Sequence, residues 1–255
     1  MIDIHTHILP GIDDGSESME DSILMAKMAA KSGVHTLIVT PHCNMEDTFD
    51  NYYGDVLEAR FQAFVEAVKQ EELPLQVFLG MEVFGTEEVP ELLRKGKLIT
   101  LNHSRYLLME FAFHEDLTLA EFLITEIADQ GYHPIIAHPE RYPYVQKHPD
   151  IVNDWLERGC SIQVNKGSIL GSFGRMARDT ALALLEHNLV SLVASDAHSP
   201  LRRTTDLSEV YHFIRNYYSE DYADLLLEEN PKRIVGDKEL ITLQPVEVKG
   251  KRWFI

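Results

Sequence analysis

Seven short apolar runs, separated by longer amphipathic stretches, constrain this fold more than any other feature of the chain. The runs are Met1–Ile4, His35–Thr40, Leu75–Gly80, Arg105–Glu110, His133–Ala137, Ser161–Val164 and Leu189–Ser195. Most are rich in Val, Ile and Leu and are bounded by Gly, Pro or polar residues, as suits parallel strands buried on both faces. The stretches between them read as helices. Asp55–Glu71 places Val56, Leu57, Phe61, Phe64, Val65 and Val68 on one face. Ser18–Ser32 opens on a loose capping box, Ser18 to Asp21, and stops at Gly33. Thr118–Gln130 stops at Gly131, and Arg175–His187 and Thr205–Tyr218 complete the set. Such alternation predicts one α/β domain over residues 1–255, built as a closed or nearly closed barrel. An open doubly wound sheet is the alternative.

A chain of 255 residues buries a large core without disulfide or metal staples, so a metal site here is expected to be chemical. The net charge of −18 disfavours nucleic acid as a partner. It also repels phosphorylated molecules unless metals or arginines invert the local field. Cys43 and Cys160 form no CxxC pair and are expected to be buried thiols in a reducing cytosol. No signal-peptide pattern opens the chain, and no apolar run approaches the roughly 20 residues that span a bilayer. A cytoplasmic protein without membrane insertion is therefore expected.

Metal-ligand side chains recur at the ends of the runs. His5 and His7 follow the first, and alternation along an extended segment points them to one side. The first loop adds Asp14. His42 follows the second run, Glu82 the third, Glu110 ends the fourth, His138 follows the fifth, and Asp196 and His198 follow the seventh. In a parallel barrel those ends all face one rim, so nine potential ligands converge. Imidazole and carboxylate without thiolate suit Mn²⁺, Fe²⁺ or Zn²⁺ in a catalytic site, and the surplus over four ligands suits more than one ion sharing a bridging carboxylate. His35, His103, His114, His133, His148, His187 and His212 are expected to stand apart from the metals. Arg141 and Arg203 are candidate clamps for phosphate oxygens, with Arg202 the alternative to Arg203. Met45, Phe49, Tyr52 and Tyr53 either form a rim for an aryl phosphate or pack beneath the neighbouring helix.

His5-Thr-His7, Thr-Pro-His42, Glu82, Glu110, His138-Pro-Glu-Arg141 and Asp196-Ala-His198 resemble the polymerase-and-histidinol-phosphatase (PHP) superfamily. The opening, from Ile2-Asp-Ile-His-Thr-His through Gly11-Ile-Asp-Asp-Gly-Ser16, is similar to a narrower branch. That branch is the manganese-dependent protein-tyrosine phosphatases of bacterial capsule and exopolysaccharide operons, the CpsB/YwqE type. The resemblance runs from Met1 to about Ile241. It implies a distorted (β/α)7 barrel and a site of two or three divalent ions, with Mn²⁺ first. One ion would take His5, His7, Glu82 and Asp196; a second would share Glu82 with Glu110 and His138; a third would take Asp14, His42 and His198. Arg141 and Arg203 would contact phosphate. The implied partner is a tyrosine-phosphorylated protein, an autophosphorylated bacterial tyrosine kinase. The acidic segment after His42 departs from the basic character expected there. The ending, Pro245–Ile255, has no counterpart and is expected to be a tail or an oligomer contact.

The expected chemistry is direct hydrolysis by a metal-activated hydroxide. A cysteine phosphatase needs a Cys-x5-Arg loop, but six residues after Cys43 stands Phe49, and six after Cys160 stands Lys166. The rival readings are a small-molecule phosphatase of histidinol-phosphate type, a nuclease, and a non-catalytic metal-binding regulatory module.

Overall fold

The computed structural model describes residues 1–45, 48–113 and 117–246. Among the described residues nine strand segments form, seven at the predicted runs and two, His42–Cys43 and Glu82–Phe84, just beyond the second and third. They are β1 (Ile2–Thr6), β2 (Thr36–Val39), β3 (His42–Cys43), β4 (Gln76–Leu79), β5 (Glu82–Phe84), β6 (Tyr106–Glu110), β7 (His133–Ala137), β8 (Ser161–Asn165) and β9 (Leu192–Ala194). Two positions are split: Thr40-Pro41 parts β2 from β3, and Gly80-Met81 parts β4 from β5. Pro41 has no N–H to give the ladder. At Gly80 an added Cβ would meet Leu101 Cδ2 at 2.8 Å and Leu101 Cα at 3.2 Å, so a side chain there would push Leu101 aside.

Each strand pairing is parallel, in the orders β1-β2-β4 and β3-β5-β6-β7-β8-β9. The two sheets are joined at both sides. Asp196 N donates to His5 O and His7 N to Ala197 O, each at 2.9 Å, tying the end of β9 to the end of β1. Gly80 N to Val39 O and Glu82 N to Pro41 O carry the pairing across the breaks. The turn Leu101–His103 packs against both β4 and β6. The strands thus run round a distorted barrel rather than an open sheet.

Alternation divides the apolar side chains between two cores. Ile2, Ile4, Ile38, Leu108, Ile135, Ala137, Leu192 and Ala194 line the inside, with Leu101, Tyr106 and Ile234 plugging one end. Leu37, Val39, Leu107, Met109, Ile136, Ile162, Val164 and Val193 face outward onto the helices. Burial on both faces is the physical reason for the continuous apolar runs. The β1 register shifts between Asp3 and Thr6. Ile4 belongs to the inner core and the next residue, His5, to the rim site, which a regular strand would not allow; a bulge re-aims side chains in this way.

The predicted helices form with small changes of boundary. Met19–Lys31 is capped by Ser18, whose Oγ accepts from Asp21 N at 3.2 Å. Asp55–Gln70, Leu117–Asp129, Arg175–Glu186 and Ser208–Tyr217 are the others. Ile151–Glu157, Glu220–Asp224 and Asn230–Val235 were not legible, being too short to express a 3.6-residue period. The seventh run begins late because Leu189 N closes the preceding helix on Leu184 O at 3.0 Å. Of the expected tail, Val246 N donates to His187 O at 2.9 Å, while Lys249, Lys251, Arg252, Trp253 and Phe254 lie outside the described residues. Among the described residues no helix is long and apolar enough to cross a membrane.

Candidate metal centre

All nine candidate ligands meet at the C-terminal rim of the strands. Glu82 stands in the middle. Its Oε2 lies 3.2 Å from His5 Nε2, 3.1 Å from His7 Nε2 and 3.1 Å from His42 Nδ1, while Oε1 lies 2.9 Å from His138 Nε2. Asp196 Oδ1 faces His5, His7 and His198 at 3.5–3.6 Å. Asp14 Oδ1 lies 3.3 Å from both His42 Nε2 and His198 Nε2. Glu110 lies nearer His42 (2.9 Å) than His138 (3.8 Å). The ligand atoms form four overlapping groups, each within 4.8 Å: His7/Asp14/His42/His198, His5/His7/Asp196, His5/Glu82/His138 and His42/Glu82/Glu110. All nine are buried or half-buried except Asp14, whose side chain is 56% exposed and borders solvent. His138 and Asp196 hold left-handed backbone (φ 38° and 50°), a strain that persists where the surrounding structure over-determines it.

Residues behind the ligands aim them. Asp196 is a carboxylate and can only accept, so Asn165 Nδ2 donates to it. Asn165 Oδ1 then accepts from Gln163 Nε2 at 2.8 Å, and Gln163 Oε1 accepts the Nδ1–H of His5 at 2.8 Å. The His5 Nε2 lone pair is thereby turned inward. His7 donates its Nδ1–H to Asp13 Oδ2 at 2.8 Å, with the same result. Glu140 Oε1 accepts from Asn165 N at 3.0 Å and steadies that strand end. Neither ligand type nor spacing in the sequence marks Asp13, Gln163 or Glu140 for these roles. Asn165 alone had a signal, its place at the end of the sixth strand position, the one that otherwise lacked a polar contributor.

Carboxylates and imidazoles set one another's charge in the site. Burial opposes ionisation of Glu82, yet His5 and His42 hold it well below the usual carboxylate range. Burial pulls His5 down, but Glu82 and Asp196 push it up to about 9. Burial and the neighbouring His7 push His198 down to about 4. Among the described residues, Glu82 Oε2, Glu110 Oε1, Asp196 Oδ1, His42 Nδ1 and His198 Nε2 are buried and, although imidazole and carboxylate atoms approach to 2.9–3.6 Å, form no well-aligned hydrogen bond. Buried oxygen and nitrogen atoms of this kind fit divalent cations, and no thiolate joins them. His5, His7, His42 and Glu82 each belong to two of the four groups, which fits more than one ion.

Arg141 Nη1 lies 3.3 Å from Asp196 Oδ2, and Arg203 Nη2 pairs with the same oxygen. Arg202 is exposed, away from this pair. Of the residues weighed as a rim, Phe49 stacks on His42, with ring centres 5.7 Å apart and planes 9° apart. Tyr52 donates to Asn44 Oδ1, and Tyr53 packs on the core beside His103. His35, His133, His187 and His212 pair with Glu228, Ser161, Val246 and Tyr211, away from the cluster. His114 lies outside the described residues.

Comparison with known proteins agrees with this architecture. The tyrosine-protein phosphatase YwqE of Bacillus subtilis (strain 168) is 35% identical over 254 residues, covering 100% of this chain and 99% of that protein. CpsB of Streptococcus pneumoniae, also a tyrosine-protein phosphatase, is 31% identical over 243 residues, covering 93% and 99%. A crystal structure from the pair YwqE of Bacillus subtilis and CpsB of Streptococcus pneumoniae, metal-dependent tyrosine phosphatases, matches with a TM-score of 0.91 and 34% identity over 98% of this chain and 100% of that one. The lactonase Lmo2620 of Listeria monocytogenes, at 14% identity and a TM-score of 0.56, shares the fold alone. Residues 1–236 match the model of the capsular polysaccharide synthesis family CpsB/CapC, and with that coverage the chain belongs to this family.

Proposed function

We propose that this chain is a metal-dependent protein-tyrosine phosphatase that hydrolyses phosphotyrosine directly, without a covalent phosphoenzyme. The observation that supports this most is the convergence of nine imidazole and carboxylate ligands beside two arginines that share Asp196. His5, His7, Glu82 and Asp196 would hold one cation, and Glu82, Glu110 and His138 a second. Asp14, His42 and His198 would hold a third. The donor set suits Mn²⁺, Fe²⁺ or Zn²⁺, and of these the family resemblance favours Mn²⁺. Bound divalent cations supply Lewis acidity and bring the pKa of water toward neutrality.

The chain's own residues do the rest. Asp13 and Gln163 keep the imidazoles of His7 and His5 turned inward. Arg141 and Arg203 exchange Asp196 for phosphoryl oxygens and neutralise the charge that develops there. The tyrosine phenolate, whose acid has a pKa of about 10, leaves without heavy assistance. Cys43 and Cys160 take no part: both thiols are buried, and burial pushes Cys43 up to about 12. The substrate we infer is an autophosphorylated bacterial tyrosine kinase of capsule or exopolysaccharide synthesis.

The test compares hydrolysis of a tyrosine-phosphorylated peptide with that of histidinol phosphate, using metal-stripped enzyme with added Mn²⁺ and His138→Ala as control. Mn²⁺-dependent preference for the phosphopeptide, lost in the variant, is expected. Preference for histidinol phosphate would keep the metal site and overturn the substrate. Metal binding without either activity would favour a regulatory module.

A further inference from the structure

Both arginines rest on one aromatic ring that the mechanism above does not use. The Arg141 guanidinium carbon lies 4.6 Å from the centre of the Phe173 ring, and that of Arg203 lies 5.6 Å from the same centre. The chain is shaped to put this ring there. Gly171 and Gly174 flank it at φ +87° and +89°, backbone that strains any residue with a side chain. Ser172 N closes the turn on Gly167 O at 2.7 Å. A Cβ on Gly167 would come within 2.7 Å of the Phe173 ring, so the ring lies against bare backbone. It is half-buried, at the edge of the site and not inside a core.

Two guanidinium groups sharing one carboxylate repel each other. When a phosphoryl group arrives, their hydrogen bonds to Asp196 must be exchanged for new ones. The contact with the ring face needs no exchange, because the attraction of a cation to a π-face does not depend on one donor meeting one acceptor. We propose that Phe173 is a positioning residue for the phosphate-binding pair, a fixed face on which Arg141 and Arg203 stay side by side while their anion changes. This rests on the assignment of both arginines to the phosphoryl group.

The test measures inhibition by inorganic phosphate, KM and kcat for a phosphopeptide, Mn²⁺ affinity and Tm. Phe173→Leu keeps an apolar side chain against Gly167 but loses the π-face. Its phosphate Ki and phosphopeptide KM should rise about 5- to 30-fold, the cost of ordering on binding two arginine side chains that the ring no longer holds, with Mn²⁺ affinity at the wild-type value and Tm lowered by at most a few degrees. Phe173→Tyr should restore both constants. Gly167→Ala, which displaces the ring without removing it, should reproduce the rise. Arg141→Ala and Arg203→Ala are measured alongside. If they raise the phosphate Ki and Phe173→Leu does not, the positioning role is overturned and the phosphatase reading stands. If the arginine variants leave Ki unchanged, their assignment to phosphate falls and the role of Phe173 falls with it. A parallel loss of Mn²⁺ affinity in Phe173→Leu would make the ring a general support of the site and overturn the proposal.

Discussion

Asp13 accepts the Nδ1–H of His7 at 2.8 Å and, with the same oxygen, the backbone N–H of His42 at 3.1 Å. One carboxylate oxygen thus couples the residue after β1 to the start of β3. Burial resists its ionisation, but His7 beside it holds the carboxyl below its ordinary range. Asp13→Ala should lower Mn²⁺ affinity by roughly 10- to 100-fold, the usual cost of losing a group that orients a ligand imidazole. Titration of metal-stripped protein with Mn²⁺ reads this directly. Wild-type affinity in the variant would remove Asp13 from the site.

Gln163 stands in the same relation to His5, but through a neutral amide. Gln163→Leu leaves the His5 Nδ1–H and Asn165 Oδ1 without partners. It should weaken Mn²⁺ binding by about 10-fold or more. Gln163→Glu keeps the acceptor for His5 and should fall between wild type and Gln163→Leu. The ranking of the three by Mn²⁺ titration is the test; equal weakening by both substitutions would mean that the His5 bond is not what Gln163 supplies.

Gly15 sits where no side chain fits. A Cβ there would lie 2.1 Å from His7 O and 2.5 Å from His7 Cβ, and backbone cannot yield as a side-chain tip can. Gly15→Ala should displace His7 and destabilise the protein by about 1–3 kcal/mol or more. Thermal unfolding with and without Mn²⁺ should show a lower Tm and a smaller gain from the metal. An unchanged metal-induced shift would show that the loop adjusts without moving His7.

Chelation and thiol chemistry should separate cleanly. A chelator is expected to abolish activity, and Mn²⁺ to restore it. Iodoacetamide should leave the native enzyme active, because both thiols are buried and burial raises their pKa. The double variant Cys43→Ala/Cys160→Ala should remain active. Loss of activity on alkylation, with metal content unchanged, would point to a cysteine in the chemistry.

The fold was legible because its signal is local and repeated. A strand buried on both faces must be apolar throughout, so seven apolar runs mark seven strand positions, and the helices between them show their period over three or more turns. The breaks at Pro41 and Gly80 were not assigned, since whether a ladder survives a proline or a glycine depends on what lies opposite. The short helices Glu220–Asp224 and Asn230–Val235 gave too few residues for a period. The candidate ligands stood out because histidine and carboxylate at a strand end are chemically distinctive.

The order of strands and helices, the rim on which the ligands stand and the types of those ligands were determined by the sequence alone, because each is written in residues close together along the chain. Only the tertiary structure decided which atoms meet. Gln163, Asn165 and Asp13 act through hydrogen bonds to residues brought near by the barrel, and amides and lone carboxylates have no pattern of their own. The choice of Arg203 over Arg202 depends on left-handed backbone at Arg203 (φ 49°), which leaves Arg203 half-buried and Arg202 exposed, and Arg141 and Arg203 reach Phe173 from separate loops. Contacts between distant segments are set by closure of the whole barrel, and no local stretch of sequence records that closure.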